Sequence, residues 1–223
     1  MGYMSKKLSL LILAYTIFVT IILYWVENIY HPSYGIQMIQ KIVSFFVLPM
    51  GIAYWLRVDI GSAWYLSRQG IWYGVGFGLF SMILIALTAW ILRGSIDWDA
   101  IHASMEARHI TKSTFLLVFL YIMFGNSLIE EYFFRWIVQR QMAFHSRPGS
   151  YMLSASMFSL YHVTIFGTWF SGWILCLALF WLFSGGLFFS WLYEKTGGIW
   201  SAWVFHILAD SMILLIGYQV FFS

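Results

Sequence analysis

The stretch from Ser127 to Val138 reads SLIEEYFFRWIV, and it places Glu130, Glu131 and Arg135 inside a long apolar run. A charged side chain at the centre of a bilayer costs about 3 kcal/mol on insertion scales. If this stretch spans a membrane, the three charged residues therefore need partners or a wet cavity. The stretch predicts a membrane helix that carries a buried polar site.

The composition of the whole chain predicts a polytopic membrane protein. Hydrophobic residues make up 61% of the sequence and charged residues 9%, with a mean hydropathy of +0.79. A soluble domain has about 25% charged residues, and a spanning helix needs about 20 mostly apolar residues. Such runs lie at 8–26, 36–56, 71–92, 115–138, 151–166, 173–193 and 199–222.

These runs predict an all-α transmembrane bundle of about seven to eight helices, because their apolar residues cover every face instead of alternating as in a barrel strand. The second run carries Lys41 and Pro49 and the fifth is short, so a number of membrane helices that differs by one also fits the sequence. We predict a single domain over 1–223, with a core of motifs within 115–222.

The charge and aromatic content indicate which partners to expect. The net charge of +3 is scattered, without a basic cluster, which argues against nucleic acid as a partner. The 13 Trp and 14 Tyr suit the two interfacial belts of a lipid bilayer. A single cysteine excludes an intramolecular disulfide.

The distribution of Lys and Arg predicts a cytoplasmic N-terminus. With this orientation most basic residues lie inside: Lys6, Lys7, Arg57, Arg68, Arg140, Arg147 and Lys195. Only the loop after the third run places basic residues outside. That loop, 93–113, has Trp98, Ile101 and Met105 at helical spacing after Ser95, a possible N-cap. It is either an amphipathic surface helix or a solvated connector.

Small residues in two apolar runs predict close helix packing. They are Gly74, Gly76 and Gly78 in the third run, and Gly185 and Gly186 in the sixth.

The charged stretch contains two acids with different surroundings. Glu131 and Arg135 are four residues apart, so they share a helix face and neutralise each other. Glu130 lies about 100° around the helix and is left without that partner. Glu130 is therefore the candidate for general acid or base chemistry, while the Glu131–Arg135 pair alone is more typical of helix packing.

Two later runs contribute histidines. Phe158 and His162 are four apart, so the phenyl ring flanks the imidazole, and His206 and Asp210 are four apart, so the carboxylate holds the imidazole tautomer. At about 1.5 Å per residue, Glu130 lies about 12 Å, His206 about 10 Å and His162 about 16 Å from the cytoplasmic helix ends. The three residues are expected at one depth.

In their order and spacing these motifs resemble the CPBP family of intramembrane endopeptidases, which includes type II CAAX prenyl proteases and bacteriocin-processing (Abi) enzymes. The pattern is Glu-Glu-x-x-x-Arg, then Phe-x-x-x-His, then His-x-x-x-Asp, over residues 130–210. The resemblance implies a CAAX-protease-like helical core. It also implies a glutamate-dependent peptidase.

The resemblance implies a role for each motif residue. Glu130 and His162 would activate a water, and His206 with the residue at 210 would stabilise the oxyanion. Glu131 and Arg135 would hold the helix and orient the first pair. Prenyl-protease members commonly carry Asn at the last position, whereas an ionised Asp210 only accepts hydrogen bonds. Asp210 is then either protonated or orients His206, and a prenyl-CAAX substrate is disfavoured.

We expect no cofactor, with zinc at Glu130, His162 and His206 as the alternative; no His-Glu-x-x-His motif supports it. The predicted function is hydrolysis of a peptide or protein at a membrane-proximal site, in a bacterial cytoplasmic membrane. One alternative is a catalytically silent scaffold or regulator of a partner protein. A proton-coupled transporter is disfavoured, since the sequence has no repeated halves.

Overall fold

The computed structural model describes residues 6–57, 61–143, 146–170 and 172–222, and no strand occurs among them. Its α-helices are α1 Lys6–Trp25, α2 Tyr34–Lys41, α3 Leu48–Trp55, α4 Arg68–Leu92, α5 Trp98–Ala107, α6 Lys112–Leu120, α7 Ser127–Glu131, α8 Arg140–Met142, α9 Arg147–Tyr161, α10 Val163–Phe166, α11 Gly172–Thr196 and α12 Trp200–Phe222. Its π-helical segments are Val26–Tyr30, Ile42–Val47, Tyr121–Asn126 and Tyr132–Gln139, and Gly61–Trp64 is a 3₁₀ turn.

Six continuous helical rods of the described chain are long and apolar enough to cross a membrane. They are Ser9–Tyr30, Tyr34–Trp55, Arg68–Leu92, Lys112–Met142, Gly172–Thr196 and Trp200–Gln219. The predicted helical membrane bundle is thus confirmed. The predicted fifth run differs, because it forms α9, with 15 residues, and α10, with 4, each below the length of a span.

The rod Lys112–Met142, called here the central helix, forms the core of the bundle. Every residue from 130 to 139 is buried, and a helix that is buried all round packs against neighbours on every side. Aromatic rings surround it: Phe133 stacks on Phe45 at 4.4 Å between centroids, and Tyr132 stacks on Trp64 at 5.8 Å. This packing fixes the position of the two central glutamates.

Two of the three glycines predicted to allow close packing on α4, Gly74 and Gly78, let this helix approach α12. A Cβ on Gly74 would lie 2.5 Å from the Ser201 carbonyl oxygen, and one on Gly78 would lie 2.6 Å from Leu208. A Cβ on Gly76 would meet nothing within 4 Å, so the prediction is wrong there, because Gly76 lies on another face of α4.

On α11, too, one glycine packs closely against a neighbouring helix and the other does not. Gly186 packs on Ala155, whereas a Cβ on Gly185 would meet nothing within 4 Å. Close packing is therefore confirmed at Gly186 and wrong at Gly185.

The loop 93–113 contains the predicted amphipathic helix as α5. Its N-cap is Asp97, whose carboxylate accepts from the Ala100 N–H at 2.9 Å, so the predicted cap at Ser95 is wrong. Asp97 directly precedes the first helical residue and can reach the free N–H groups of the first turn. Ile101 and Met105 are buried and pack with Phe115, so the apolar face of α5 covers one end of the bundle.

Candidate active site

The two adjacent glutamates lie in α7, at the middle of the central helix. Glu130 is 1% exposed and Glu131 is 0% exposed. π-Helical segments precede and follow α7, and such wider turns are frequent at functional sites because they change the direction of the side chains. Consecutive positions on the helix point the two carboxylates in different directions, and both still lie near the His206 ring.

Glu130 is held at one oxygen and faces two histidines with the other. Its Oε1 accepts from Asn126 Nδ2 at 2.6 Å, while no described group hydrogen-bonds Oε2. Oε2 lies 3.9 Å from His162 Nε2 and 3.9 Å from His206 Nε2. Three side chains from three helical segments therefore meet at one point. This agrees with the prediction that the three residues lie at one depth.

His162 ends α9, and its ring is fixed through Nδ1. Nδ1 lies 2.7 Å from the Phe158 carbonyl oxygen, which can only accept, so the Nδ1 proton points to the backbone. The neutral ring then presents the Nε2 lone pair toward Glu130. The Phe158 ring flanks the imidazole at 4.6 Å between centroids, as predicted.

His206, in α12, is oriented by Glu131. Its Nδ1 lies 2.9 Å from Glu131 Oε1, so the ring donates there, and Nε2 lies 3.6 Å from Asp210 Oδ2. Asp210 lies just beyond hydrogen-bond distance, on the Nε2 side of the ring, and its role in holding the tautomer stays a prediction. The orienting carboxylate belongs to Glu131, on another helix.

Glu131 also makes the predicted ion pair. Arg135 Nε donates to Glu131 Oε2 at 3.0 Å, and Arg135 Nη1 donates to Ser154 Oγ at 2.6 Å. The guanidinium carbon lies 5.1 Å from the centroids of both the Phe158 and Phe189 rings. Through the contact of Glu131 with His206 at 2.9 Å, the pair supports His206. That the pair also orients Glu130 and His162, as the family pattern implied, stays a prediction.

Sequence reasoning missed Asn126. It lies one turn before Glu130 on the same helix and is 7% exposed. A polar amide four residues before a buried acid, inside an apolar run, is a signal that could have identified it.

The site opens into a cavity of about 1110 Å³ that is lined chiefly by apolar and aromatic side chains of α4, α5, α11 and α12. A second buried polar pair lies on its wall, where Lys41 Nζ is 3.9 Å from Glu27 Oε1. Glu27 is 1% exposed and Lys41 is 6% exposed. The cavity is large enough for a peptide segment.

In the described part of the chain, no three His, Cys, Asp or Glu side chains are arranged to hold a metal ion. Both imidazoles nevertheless turn Nε2 toward Glu130, and each Nδ1 has an acceptor. The absence of a cofactor stays a prediction.

Comparison with known proteins gives a family-model match over this part of the chain. Residues 112–212 match the family model of the type II CAAX prenyl endopeptidase Rce1-like proteins, a peptidase family. No curated protein and no solved structure matches the chain. The matched residues run from the start of the central helix through Asp210. Residues 112–212 are thus similar to the Rce1-like type II CAAX prenyl endopeptidases, and this match is consistent with the CPBP resemblance of the motifs.

Proposed function

We propose that the protein is an intramembrane endopeptidase in which Glu130 and His162 activate a water and His206, with Asp210, stabilises the oxyanion. The observation that carries this proposal is the distance of 3.9 Å from Glu130 Oε2 to the Nε2 atoms of both histidines. That separation is too wide for a direct hydrogen bond. It suits a water about 2.8 Å from each atom, which would bridge the groups.

The two acceptors at this point suit the activation of water. A water has two protons, and Glu130 Oε2 and His162 Nε2 can each accept one. One lone pair can accept from protonated His206 Nε2, and the other faces the cavity, where a peptide carbonyl can lie. As the oxygen attacks, Glu130 takes a proton and later delivers it to the leaving amine, which is general base and general acid catalysis by one group.

His206 is the proposed donor to the oxyanion. Because Nδ1 donates to Glu131, Nε2 can donate only when the ring carries both protons. Glu130, Glu131 and Asp210 each place an oxygen within 4 Å of this ring and supply the countercharge for an imidazolium. A cation fixed before the reaction, where negative charge develops, stabilises the transition state.

The proposed setting is a bacterial cytoplasmic membrane with the N-terminus on the cytoplasmic side, and a single protease domain over 1–223. The substrate is a peptide or protein with a cleavage site near the membrane. The integral-membrane character follows from the six apolar rods and the family. Alkaline phosphatase fusions after residues 31 and 143 test the orientation, with activity expected only for the first.

Comparative terminal proteomics tests the activity. Membranes that contain the active protein are compared with membranes that contain Glu130→Gln or His162→Gln, and a new peptide terminus is expected only with the active protein. Both variants should insert and elute normally in detergent. Unchanged processing by both variants would support a scaffold function instead.

We also propose that the reaction is metal-free. Elemental analysis of the purified protein and treatment with a chelator test this. Stoichiometric zinc, lost together with activity on chelation, would overturn it.

A further inference from the structure

The helix α5 closes one end of the cavity and packs on the bundle through few side chains. Ile101 and Met105 are its buried apolar residues, and both line the cavity. They form a small cluster with Ile110 and Phe115 that is separate from the main core around the central helix. Because a segment with few buried apolar contacts opens at a lower free energy than the core does, α5 can move while the bundle stays folded.

A chain of hydrogen bonds attaches α5 to the turn after α10. Trp169 Nε1 donates to Ser104 Oγ at 3.2 Å, and Ser104 Oγ lies 3.2 Å from Thr168 Oγ1. The Thr168 hydroxyl donates to the Ile165 carbonyl oxygen at 2.9 Å, so Ser104 is the donor to Thr168. We call the three side chains of Ser104, Thr168 and Trp169 the α5 latch.

The α5 latch lies at the surface of the bundle. Thr168 is exposed, and Ser104 and Trp169 are half-buried. Hydrogen bonds between accessible groups exchange for hydrogen bonds to water at a small net cost in free energy. The latch therefore holds α5 in one position without making that position permanent.

The chain turns on both sides of α5. Gly94 precedes the helix, and a Cβ at this position would meet nothing within 4 Å. His109 follows the helix with a φ of 60°, a left-handed conformation that is uncommon for residues other than glycine. Short segments at the ends of a rigid element are the places that absorb the backbone changes of a hinge movement.

The catalytic cluster lies deep in the cavity, away from α5. The ideal Cβ position of Gly217 lies 3.7 Å from Met105 Cε, so this part of α5 is level with Gly217 on α12. Gly217 is eleven residues beyond His206, and this separation corresponds to about 16 Å along the helix axis. The helix α5 is therefore too far away to take part in bond cleavage, but its position decides whether this end of the cavity is closed.

We propose that α5 is a gate for the substrate: the α5 latch opens, α5 tilts away from the bundle, and a peptide segment enters the cavity from this end. This rests on the proposed peptidase function. The gate precedes residues 112–212, the part of the chain that matches the peptidase family model, so it is a feature of this chain added to the matched region.

A disulfide across the α5 latch tests the gate. Ser104→Cys and Thr168→Cys are combined, since the two hydroxyl oxygens lie 3.2 Å apart and sulfurs at these positions reach bonding distance with a small movement. Cys176→Ser removes the native thiol, and Ala209→Cys places a thiol on the cavity wall beside Asp210. The protein is held in lipid nanodiscs, and the probe is fluorescein maleimide, a charged reagent that reaches the thiol from water.

Oxidation should slow the labelling of position 209 by about tenfold, and reduction should restore it, because the locked helix closes the path. Mass spectrometry of the peptide that contains position 209 measures this labelling separately from that of the latch thiols. Single variants with Ser104→Cys or Thr168→Cys alone control for the oxidant and should label at the unlocked rate. Equal labelling of locked and unlocked protein means that the reagent enters between other helices, and this result overturns the gate.

A latch variant tests the gate without a disulfide. Ser104→Ala removes the middle of the hydrogen-bond chain and should speed the labelling of position 209 by about three- to tenfold. Ser184→Ala is the matched control, because Ser184 also lines the cavity and its hydroxyl donates within its own helix, to the Phe180 carbonyl oxygen. This control should label at the rate of the protein with serine at both positions. Equal rates for the two alanine variants overturn the α5 latch.

Cleavage by the locked protein separates the gate from the peptidase function. Isolated membranes that contain the latch disulfide, with Ala209 unchanged, are compared by terminal proteomics before and after reduction. New peptide termini that appear only after reduction support both proposals. Termini that form equally in the locked protein overturn the gate and leave the peptidase. Labelling that depends on the latch, without any new terminus, supports the gate and contradicts hydrolysis.

Discussion

Two buried carboxylates line one cavity and have different partners. Glu27 Oε1 lies 3.9 Å from the Lys41 ammonium, and neither oxygen of Glu27 has a described hydrogen bond. Glu130 Oε1 accepts from Asn126, and its Oε2 faces two imidazoles at 3.9 Å each. The two clusters share burial and differ in the chemistry of the neighbour.

The difference shows which neighbour suits a reaction. An ammonium only donates hydrogen bonds, whereas an imidazole donates or accepts and exchanges its proton near neutral pH. We therefore expect the Glu27–Lys41 pair to serve folding and the Glu130 cluster to serve hydrolysis. The following variants separate these roles.

Glu130→Gln should have the largest effect, a loss of about 10³ in kcat, because the amide cannot take a proton from water. The measurement is cleavage of a substrate found by terminal proteomics. The matched control is the combined variant Glu27→Met and Lys41→Met, which should stay within about tenfold. Similar losses in both variants would remove the distinction between the clusters.

Lys41→Met alone should destabilise the folded protein by about 3 kcal/mol, because it leaves Glu27 as an unpaired buried charge. Adding Glu27→Met should restore most of the stability, since a buried pair is often replaceable by apolar residues. Unfolding in detergent, followed by tryptophan fluorescence, measures both. A double variant as unstable as the single one would assign Glu27 another role.

Glu131→Ala should lower kcat by about 10², because His206 loses the acceptor that orients its ring. Glu131→Gln is the matched control, since it also removes the charge beside Arg135 but keeps an oxygen that accepts from His206 Nδ1. Glu131→Gln should retain clearly more activity at similar stability. Equal kcat values for the two variants would show that Glu131 acts only through Arg135.

Asp210→Asn should have the smallest effect, within about tenfold in kcat. Asp210 lies 3.6 Å from His206 Nε2, and Glu131 supplies a nearer countercharge at 2.9 Å. An amide at this position can also donate toward an oxyanion. A loss beyond about 10² would show that the charge of Asp210 is required.

Local sequence patterns predicted much of the bundle. Long apolar runs gave the membrane helices, and the spacing of Ile101 and Met105 gave α5, because both signals depend on residues near one another in the chain. The interruption between α9 and α10 at His162 was not predicted, since the apolar run continues through it. The N-cap of α5 at Asp97 was missed for another reason, because Ser95 and Asp97 are both residue types that cap helices and the sequence does not say which one does so.

The sequence by itself determined which side chains are costly in a membrane, and the four-residue spacings that pair Glu131 with Arg135 and Phe158 with His162. Those pairs lie within one helix, so helix geometry alone brings them together. Only the tertiary structure decided that Glu131 orients His206 and that Glu130 Oε2 lies 3.9 Å from both His162 and His206. These contacts join separate helices, so they depend on how the helices rotate and approach, and packing across the whole bundle sets that rotation.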